Sequence, residues 1–596
     1  MLDFVKSNFD ILCVAVLALA AFAGTFCLAA PAVPDLILHH GKVVTVDSNF
    51  SLHAALAIRG DRIVQVGSDE QILKLKGEGT RLVDLNGQMV LPGLIDSHMH
   101  PTSAAMTEFD HVIPSMETIA DVLRYILGRT SVIKEGEWIV VQQVFITRLR
   151  ERRYPTRAEL DQVAPRHPVV FRTGPDASLN TLALRRSGIG RSFKIPEGLP
   201  GRVETDAQGE PTGILRTFAN YVKIPSAPST ATPAQMVQRL ANLIQDYNSV
   251  GLTSICDRDT FPDGVDLYTQ LRARGGLTAR VSLTRHVDTQ GPISNILQHI
   301  QQVASDPLFK NHDPLLRIIG IKTYLDGGML TGSAYMREPW GLSDIYAIRD
   351  PNYRGTLFIP HERLVPMVRA AVAAGLQFTA HSVGDGAVHE LLAAYEEVNR
   401  DLPVRASRPC ISHANFMSSE AVHKLAYLGV SVDVQPAWLY LDTATLWKHF
   451  GEERLRWFQP LRSIFEAGGV AGGGSDHMQK IGSLRSINPY NPFLGMAVAC
   501  TRQARWQEGA LHPEESLTRA QAIRFYTINN AYILFLDDKV GSLEPGKLAD
   551  LIVVDTDLLE CPPEKMPETQ VLQTYLGGKL IYDRQAVGLA PATIRR

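Results

Sequence analysis

The pattern of apolar and polar positions changes along the chain and predicts two kinds of structure. Near both ends, short runs alternate apolar and polar residues and stop at turn residues, which is typical of half-buried strands. These runs are residues 35–46, 55–67, 550–555 and 571–582. The second run predicts a hairpin with its turn at Gly60-Asp61. Together the runs predict one small β-sandwich domain that both chain ends build.

Between the two ends, apolar runs that stop at polar residues alternate with helical patterns, such as residues 387–399 and 419–428. Eight such strands are predicted, ending near His98, Cys256, His286, Tyr324, His381, His413, Gln435 and Asp476. Eight parallel strand–helix units are the pattern of a (β/α)8 barrel of the TIM type, an α/β fold. The interval from Pro101 to Val250 is too long for one crossover and predicts a large insertion after strand 1.

The predicted domains are therefore a composite β-sandwich domain over 33–90 and 538–596, and a barrel over 91–537 with an insertion at about 105–245. Residues 1–32 form a separate leader. Lys6 precedes an uncharged apolar run, and Ala30-Pro31-Ala32 offers a cleavage site, so we expect a signal peptide and export to the periplasm or the exterior. A membrane anchor at 11–30 is the alternative, because about twenty apolar residues span a bilayer.

Composition narrows the function classes. Of the 596 residues, 45% are apolar and 20% charged, as in ordinary soluble proteins. The net charge of −3 gives no basis for a nucleic-acid partner. The four cysteines beyond the leader are widely spaced and predict neither a disulfide framework nor a zinc ribbon. A small-molecule substrate is the expected partner, with any membrane contact limited to the leader, and the chain is a monomer or a homo-oligomer.

The end of the first barrel strand carries the strongest candidate for chemistry, His98-Met99-His100. Alternate side chains of a strand point to the same side, so both imidazoles face one point. Imidazole is the commonest metal ligand in proteins. A lone pair of this kind also occurs as two partly buried histidines at a strand end, so the motif needs further ligands.

Four later strand ends supply such ligands: Lys322, His381, His413 and Asp476. Taken alone, Lys322 is also explained as a barrel lysine paired with a carboxylate, each histidine as a hydrogen-bonded core residue and Asp476 as a helix cap. Taken together with the two histidines, they form the ligand set that is typical of a two-metal hydrolytic site with a metal-activated hydroxide. The mixed histidine and carboxylate set suits one or two zinc ions, with iron, manganese and nickel left open. Asp476 is also the expected catalytic base.

This constellation resembles the amidohydrolase superfamily, and within it the branch that includes N-substituted formamide deformylases. The resemblance covers almost the whole chain after the leader. It lies in the segments 90–100, 154–161, 209–216, 381–385, 412–415, 474–476 and 540–551.

The resemblance implies a division of the metal ligands. His98, His100 and Asp476 would hold the first metal, and His381 with His413 the second. Lys322 would bridge both as a carboxylated lysine, whose formation requires a desolvated amine of lowered pKa.

At three places the sequence departs from the branch's pattern, so the resemblance does not identify the substrate. Thr173-Gly174-Pro175 stands where the branch usually has Asp-Gly-His, Gly386 where arginine is frequent, and His477 where tryptophan is frequent. The candidate substrate-binding residues are Asp176, Asn180, Asp326 and His477. For each of them a structural hydrogen-bonding role is the alternative.

We therefore expect a metal-dependent hydrolase that cleaves a non-peptide C–N bond of an amide or cyclic amide. A lactonase or other ester hydrolase is the alternative on the same site. Deamination is less favoured, because no His-x-x-Glu pair stands at the fifth strand. A catalytically silent barrel that serves as a binding scaffold is the alternative from a different class.

Overall fold

The computed structural model describes residues 33–109, 111–142, 144–196, 201–224 and 231–589. The leader predicted at residues 1–32 lies outside this part of the chain. Among the described residues, no helix combines the length and the apolar composition that crossing a membrane requires.

An eight-stranded parallel sheet forms the centre of the molecule and confirms the predicted α/β barrel. Its strands follow one another in chain order, and each pairs in parallel with the next. They are Leu94–Met99, Leu252–Thr260, Arg280–His286, Leu316–Tyr324, Gln377–Ser382, Cys410–His413, Ser431–Val434 and Val470–Gly473. The second strand runs past its predicted end at Cys256 to Thr260, and the eighth ends three residues before Asp476.

The segment after the eighth strand joins it to the first strand. The Ser97 hydroxyl donates to the carbonyl of Gly473 at 3.1 Å. The Asp476 amide donates to the carbonyl of His98 at 2.7 Å, and the His100 amide donates to the carbonyl of His477 at 2.8 Å. These bonds hold Asp476 beside the two histidines of the first strand, although 376 residues separate Asp476 from His100 along the chain.

Helices cover the outside of the barrel. The main ones are Pro262–Ala273, Ile293–Ser305, His361–Ala373, Asp385–Asn399 and Ser419–Leu428. Helices Pro436–Arg454 and Pro492–Thr501 follow the seventh and eighth strands. Local signals explain why Ser419–Leu428 has its predicted bounds. The Ser418 hydroxyl accepts the Ala421 amide at 3.1 Å, and Gly429 ends the helix at a φ of 70° that glycine tolerates best.

Strands from both chain ends share two further sheets. One contains Lys42–Val44, Leu52–His53, Met89–Pro92, Leu551–Val554, Val571–Leu576 and Lys579–Asp583. The other contains Leu36–His39, Ala55–Arg59, Arg62–Gly67 and Arg81–Asp84. The pairing of Arg59 with Arg62 confirms the predicted hairpin. Leu38, Leu56, Val90 and Leu551 belong to one buried cluster shared by the two sheets.

The long interval after the first strand contains a five-stranded sheet. Its strands are Ile139–Gln142, Val169–Thr173, Asp176–Leu179, Arg202–Thr205 and Pro211–Arg216. The accompanying helices are Ile119–Thr130, Arg157–Val163 and Thr181–Arg186, and helix Pro233–Ser249 leads back to the barrel. This sheet has its own apolar clusters on its two faces. We call this part of the chain the insertion.

Candidate metal centre

The structure brings His98, His100 and Asp476 together at the carboxyl end of the barrel. Their nearest potential ligand atoms all lie within 4.8 Å of one another. The Oδ1 atom of Asp476 lies 3.1 Å from Nε2 of His100 and 3.5 Å from Nε2 of His98. The Nε2 atom of His98 is buried and makes no hydrogen bond. Since a buried polar atom without a partner is costly, a cation between these groups fits the donor set.

A chain of buried polar groups fixes the ring of His98. Its Nδ1 atom lies 2.6 Å from Oδ1 of Asp433, whose Oδ2 accepts the Ser412 hydroxyl at 3.0 Å and lies 3.4 Å from Nε of Arg258. A carboxylate on the far nitrogen is the usual partner of a metal-binding histidine. Burial, followed by the nearby Lys322, lowers the pKa of His98 well below its ordinary value, so the ring is held in the neutral form that binds metals.

His381 and His413 lie beside this group. The ring centroids of His381 and His413 are 4.5 Å apart, and those of His98 and His413 are 4.7 Å apart. The Nδ1 atom of His413 lies 2.7 Å from Oε1 of Gln435, and its ring stacks on Trp438 at 4.9 Å. Because an amide oxygen only accepts, Nδ1 donates and Nε2 remains available as a ligand. Burial and Lys322 lower the pKa of His381 to about 3.

Backbone strain accompanies these positions. His413 has a φ of 77° and Asp476 a φ of 53°, in the left-handed region that non-glycine residues rarely adopt. Such conformations cost of order 1–3 kcal/mol each and concentrate at functional sites. Both residues sit at or just beyond the carboxyl end of a barrel strand, where the chain turns and presents the side chain to the mouth of the barrel.

Lys322 occupies the predicted position near the end of the fourth strand. Its side chain is buried, and its Nζ atom lies 5.1 Å from the centroid of the Tyr324 ring. Burial lowers the pKa of Lys322 below its ordinary value, although the carboxylates of Asp259 and Asp433 act in the opposite direction. A larger fraction of the amine is therefore unprotonated than in an exposed lysine.

A cavity of about 550 Å³ connects these residues to the insertion. Its floor contains five of the six predicted ligands: His100, Lys322, His381, His413 and Asp476. Apolar side chains form much of the remaining wall: Phe145, Met329, Leu330, Phe358, Trp438 and Met478. The insertion contributes residues within 172–175 and 217–220, and the segment after the fourth strand contributes residues within 326–333. A mostly apolar cavity with a few convergent polar groups is typical of small-molecule sites.

Asp176 and Asn180 lie inside the insertion, away from the cavity lining. The carboxylate of Asp176 accepts the Tyr154 hydroxyl at 3.0 Å, the Arg216 guanidinium at 3.1 Å and the Thr217 amide at 2.8 Å. The Asn180 side chain caps helix Thr181–Arg186 by accepting the Ala183 amide at 2.9 Å. These contacts favour the structural alternative for both residues.

Asp326 and His477 are closer to the site but are also engaged in hydrogen bonds. Asp326 borders the cavity, accepts the backbone amides of Tyr335, Val383 and Gly384, and has a pKa that burial raises to about 7. The ring of His477 lies 2.8 Å from the Tyr247 hydroxyl and 2.7 Å from a backbone carbonyl, and burial lowers its pKa to about 4. Here too the contacts favour a structural role.

Sequence reasoning missed the buried groups that support the ligands. Asp433 and Gln435 orient His98 and His413 from the seventh strand, and Asp96 accepts the amides of His98 at 2.9 Å and Ser475 at 3.2 Å. Asp433 could have been noticed in the sequence, because it is a charged residue within an otherwise apolar strand. Gln435 directly follows the seventh strand in an extended conformation, two residues after Asp433, so the two side chains point to the same side.

The sequence matches a protein family and is similar to known proteins. A family model described as "Amidohydrolase family" matches residues 81–582. The chain is 30% identical to N-substituted formamide deformylase of Arthrobacter pascens, over 92% of this chain and 98% of that protein. It is 27% identical to Protein LONG AFTER FAR-RED 3 of Arabidopsis thaliana, over 92% of each chain.

Among solved structures, an uncharacterized metal-dependent hydrolase from Pyrococcus horikoshii OT3 superposes with a TM-score of 0.65. The two chains are 20% identical, and the match covers 89% of this chain and 99% of that one. At this level of identity the likeness concerns the fold, and it agrees with the barrel described above.

Proposed function

The chain belongs to the amidohydrolase family, and on that premise we propose that it is a metal-dependent hydrolase of a non-peptide C–N bond in an amide or cyclic amide. The observation that carries the proposal is the group of His98, His100 and Asp476, whose potential ligand atoms lie within 4.8 Å of one another beside the cavity. His381, His413 and Lys322 complete the same site.

The proposed ligand assignment is the one that the family resemblance implies, and the grouping of His98, His100 and Asp476 supports its first part. His98, His100 and Asp476 would hold one divalent ion, His381 and His413 a second, and Lys322 would bridge them after carboxylation. Zinc is the proposed ion, because the donors are imidazole nitrogens and carboxylate oxygens. A divalent ion in this site supplies Lewis acidity, which polarises the substrate carbonyl and makes water a nucleophile near neutral pH.

The proposed proton path runs through Asp476. Its carboxylate accepts a proton from the attacking water and returns one to the nitrogen that leaves the carbonyl carbon, so that amide and water become acid and amine. The Asn488 side chain donates to the backbone carbonyl of Asp476 at 2.6 Å and to its Oδ2 atom at 3.2 Å, which holds the carboxylate in place. Apolar residues such as Trp438 and Phe145 restrict water in the cavity.

The test is a substrate panel with controlled metal content. We expect the zinc- or manganese-loaded protein to hydrolyse members of a panel of N-formyl, N-acyl and cyclic amides, to lose this activity on chelation and to regain it on reloading. Lactones belong in the same panel. Hydrolysis of lactones alone would replace the amide proposal by the ester alternative, and no turnover with any metal would contradict hydrolysis and favour the scaffold alternative.

A further inference from the structure

Arg172 is a cation on the cavity wall that pairs with no carboxylate among the described residues. It lies on the insertion strand Val169–Thr173 and lines the same cavity as His100 and Asp476. Its guanidinium donates to Oδ1 of Asn220, which also lines the cavity. Within the described residues, Arg172 forms no ion pair, and its remaining N–H groups make no other hydrogen bond.

Two other arginines of the insertion differ from Arg172 because they form ion pairs. Arg216 lies 3.1 Å from Asp176 and 2.7 Å from Glu204, and Arg191 lies 2.7 Å from Glu210. Each of these cations is neutralised by a carboxylate of the insertion itself. Arg172 is half-buried at the cavity wall, so its charge is free to pair with an anionic group of a molecule that enters the cavity.

The carboxylates that line the cavity, Asp326 and Asp476, contact groups other than Arg172. Asp326 accepts three backbone amides, and Asp476 lies against His98 and His100. The adjacent loop offers little polar recognition, because Gly174 and Pro175 have no side-chain donor. Arg172 and Asn220 supply the guanidinium and amide donors of this wall, beside the hydroxyl of Thr217.

We propose that Arg172 and Asn220 form a carboxylate subsite, and that the substrate is an amide which also carries a carboxylate, as in an N-acyl amino acid. The guanidinium fork matches a carboxylate with two parallel hydrogen bonds. The side-chain NH2 of Asn220 supplies a further donor, because Arg172 occupies its Oδ1 atom. The apolar part of the substrate packs on Trp438 and its neighbours. This inference rests on the proposed amide hydrolysis.

The experiment uses two substrates that differ only in the carboxylate, N-formylphenylalanine and N-formyl-2-phenylethylamine. We expect the metal-loaded wild-type protein to prefer the acid in kcat/KM. Arg172→Gln lowers kcat/KM for the acid by about tenfold to a hundredfold and changes that for the neutral amide by less than about threefold. Arg172→Lys retains part of the preference. Arg191→Gln is the matched control, because it removes a cation of the insertion that does not line the cavity.

Failure of the carboxylate subsite and failure of amide hydrolysis give different results. Equal losses on both substrates, or an unchanged preference in Arg172→Gln, would overturn the subsite while leaving amide hydrolysis intact. Calorimetric binding of the corresponding N-methylsulfonyl pair, which is not hydrolysed, tests the subsite without turnover. Tighter binding of the acid to wild type than to Arg172→Gln supports it even if neither formamide is cleaved, and equal binding rejects it.

Discussion

Asp476→Asn is expected to lower kcat for amide hydrolysis by about a thousandfold, within the range of a lost general acid–base that also binds metal. The carboxylate lies 3.1 Å from Nε2 of His100 and receives a hydrogen bond from Asn488. Asparagine has the same shape but neither the charge nor the proton affinity, so the fold is retained while proton transfer is lost. Steady-state kinetics with a saturating metal supply measure the effect.

Asp538→Asn is the control for this prediction, because Asp538 is about two-thirds exposed and is not part of the cavity lining. Its kcat should equal that of the wild-type protein. Thermal unfolding of both variants separates a catalytic loss from a folding defect. Turnover by Asp476→Asn within a few-fold of wild type would remove Asp476 from the proposed mechanism.

Arg258→Met is expected to lower the free energy of unfolding by about 3–5 kcal/mol, the usual cost of breaking a buried ion pair. The Arg258 side chain is fully buried, donates to the carbonyl of Ser97 at 3.0 Å and to Oε1 of Gln377 at 2.6 Å, and lies 3.4 Å from Asp433. Its removal leaves the charge of Asp433 uncompensated inside the barrel. Because Asp433 orients His98, metal affinity should fall as well.

Arg369→Met is the matched control, because Arg369 and Asp401 form an exposed ion pair with a closest approach of 2.6 Å. Exposed pairs contribute about 0–1 kcal/mol, so this variant should unfold almost like the wild type. Denaturant titration compares the two. If Arg258→Met does not fold, Arg258→Lys retains the charge and should be intermediate. Equal stability of Arg258→Met and Arg369→Met would contradict the role of the buried network.

The barrel was predictable because its strands end in polar residues after apolar runs. Each run reads as a strand buried on both faces, and each terminal residue faces the mouth of the barrel. The candidate ligands His381 and His413 were therefore accessible from the pattern of successive strand ends taken together with His98 and His100. The second strand was predicted too short, because Asp257, Arg258 and Asp259 look like a loop. Inside the barrel Arg258 satisfies its charge with Asp433, which only the folded chain brings near.

The part of the cavity wall that the insertion forms was much less predictable, because it depends on which insertion residues face the barrel. Asp176 and Asn180 were selected for their position in the segment, but both make hydrogen bonds within the insertion. Arg172 lies a few residues earlier and faces the cavity. Charge and spacing do not distinguish these residues. The carboxylate of Asp176 is bound by Arg216, which only the folded insertion brings near, whereas Asn180 caps the helix that directly follows it.

Metal content of purified variants tests the central claim most directly. The wild-type protein, loaded with zinc and freed of excess metal, should retain at least one equivalent per chain by mass spectrometry. The double variant His98→Asn with His100→Asn should retain at least one equivalent less while unfolding cooperatively. His286→Asn, at the end of the third strand and paired with Asp259 at 2.6 Å, should keep the wild-type content. Unchanged metal in the folded double variant would contradict the assignment of the centre.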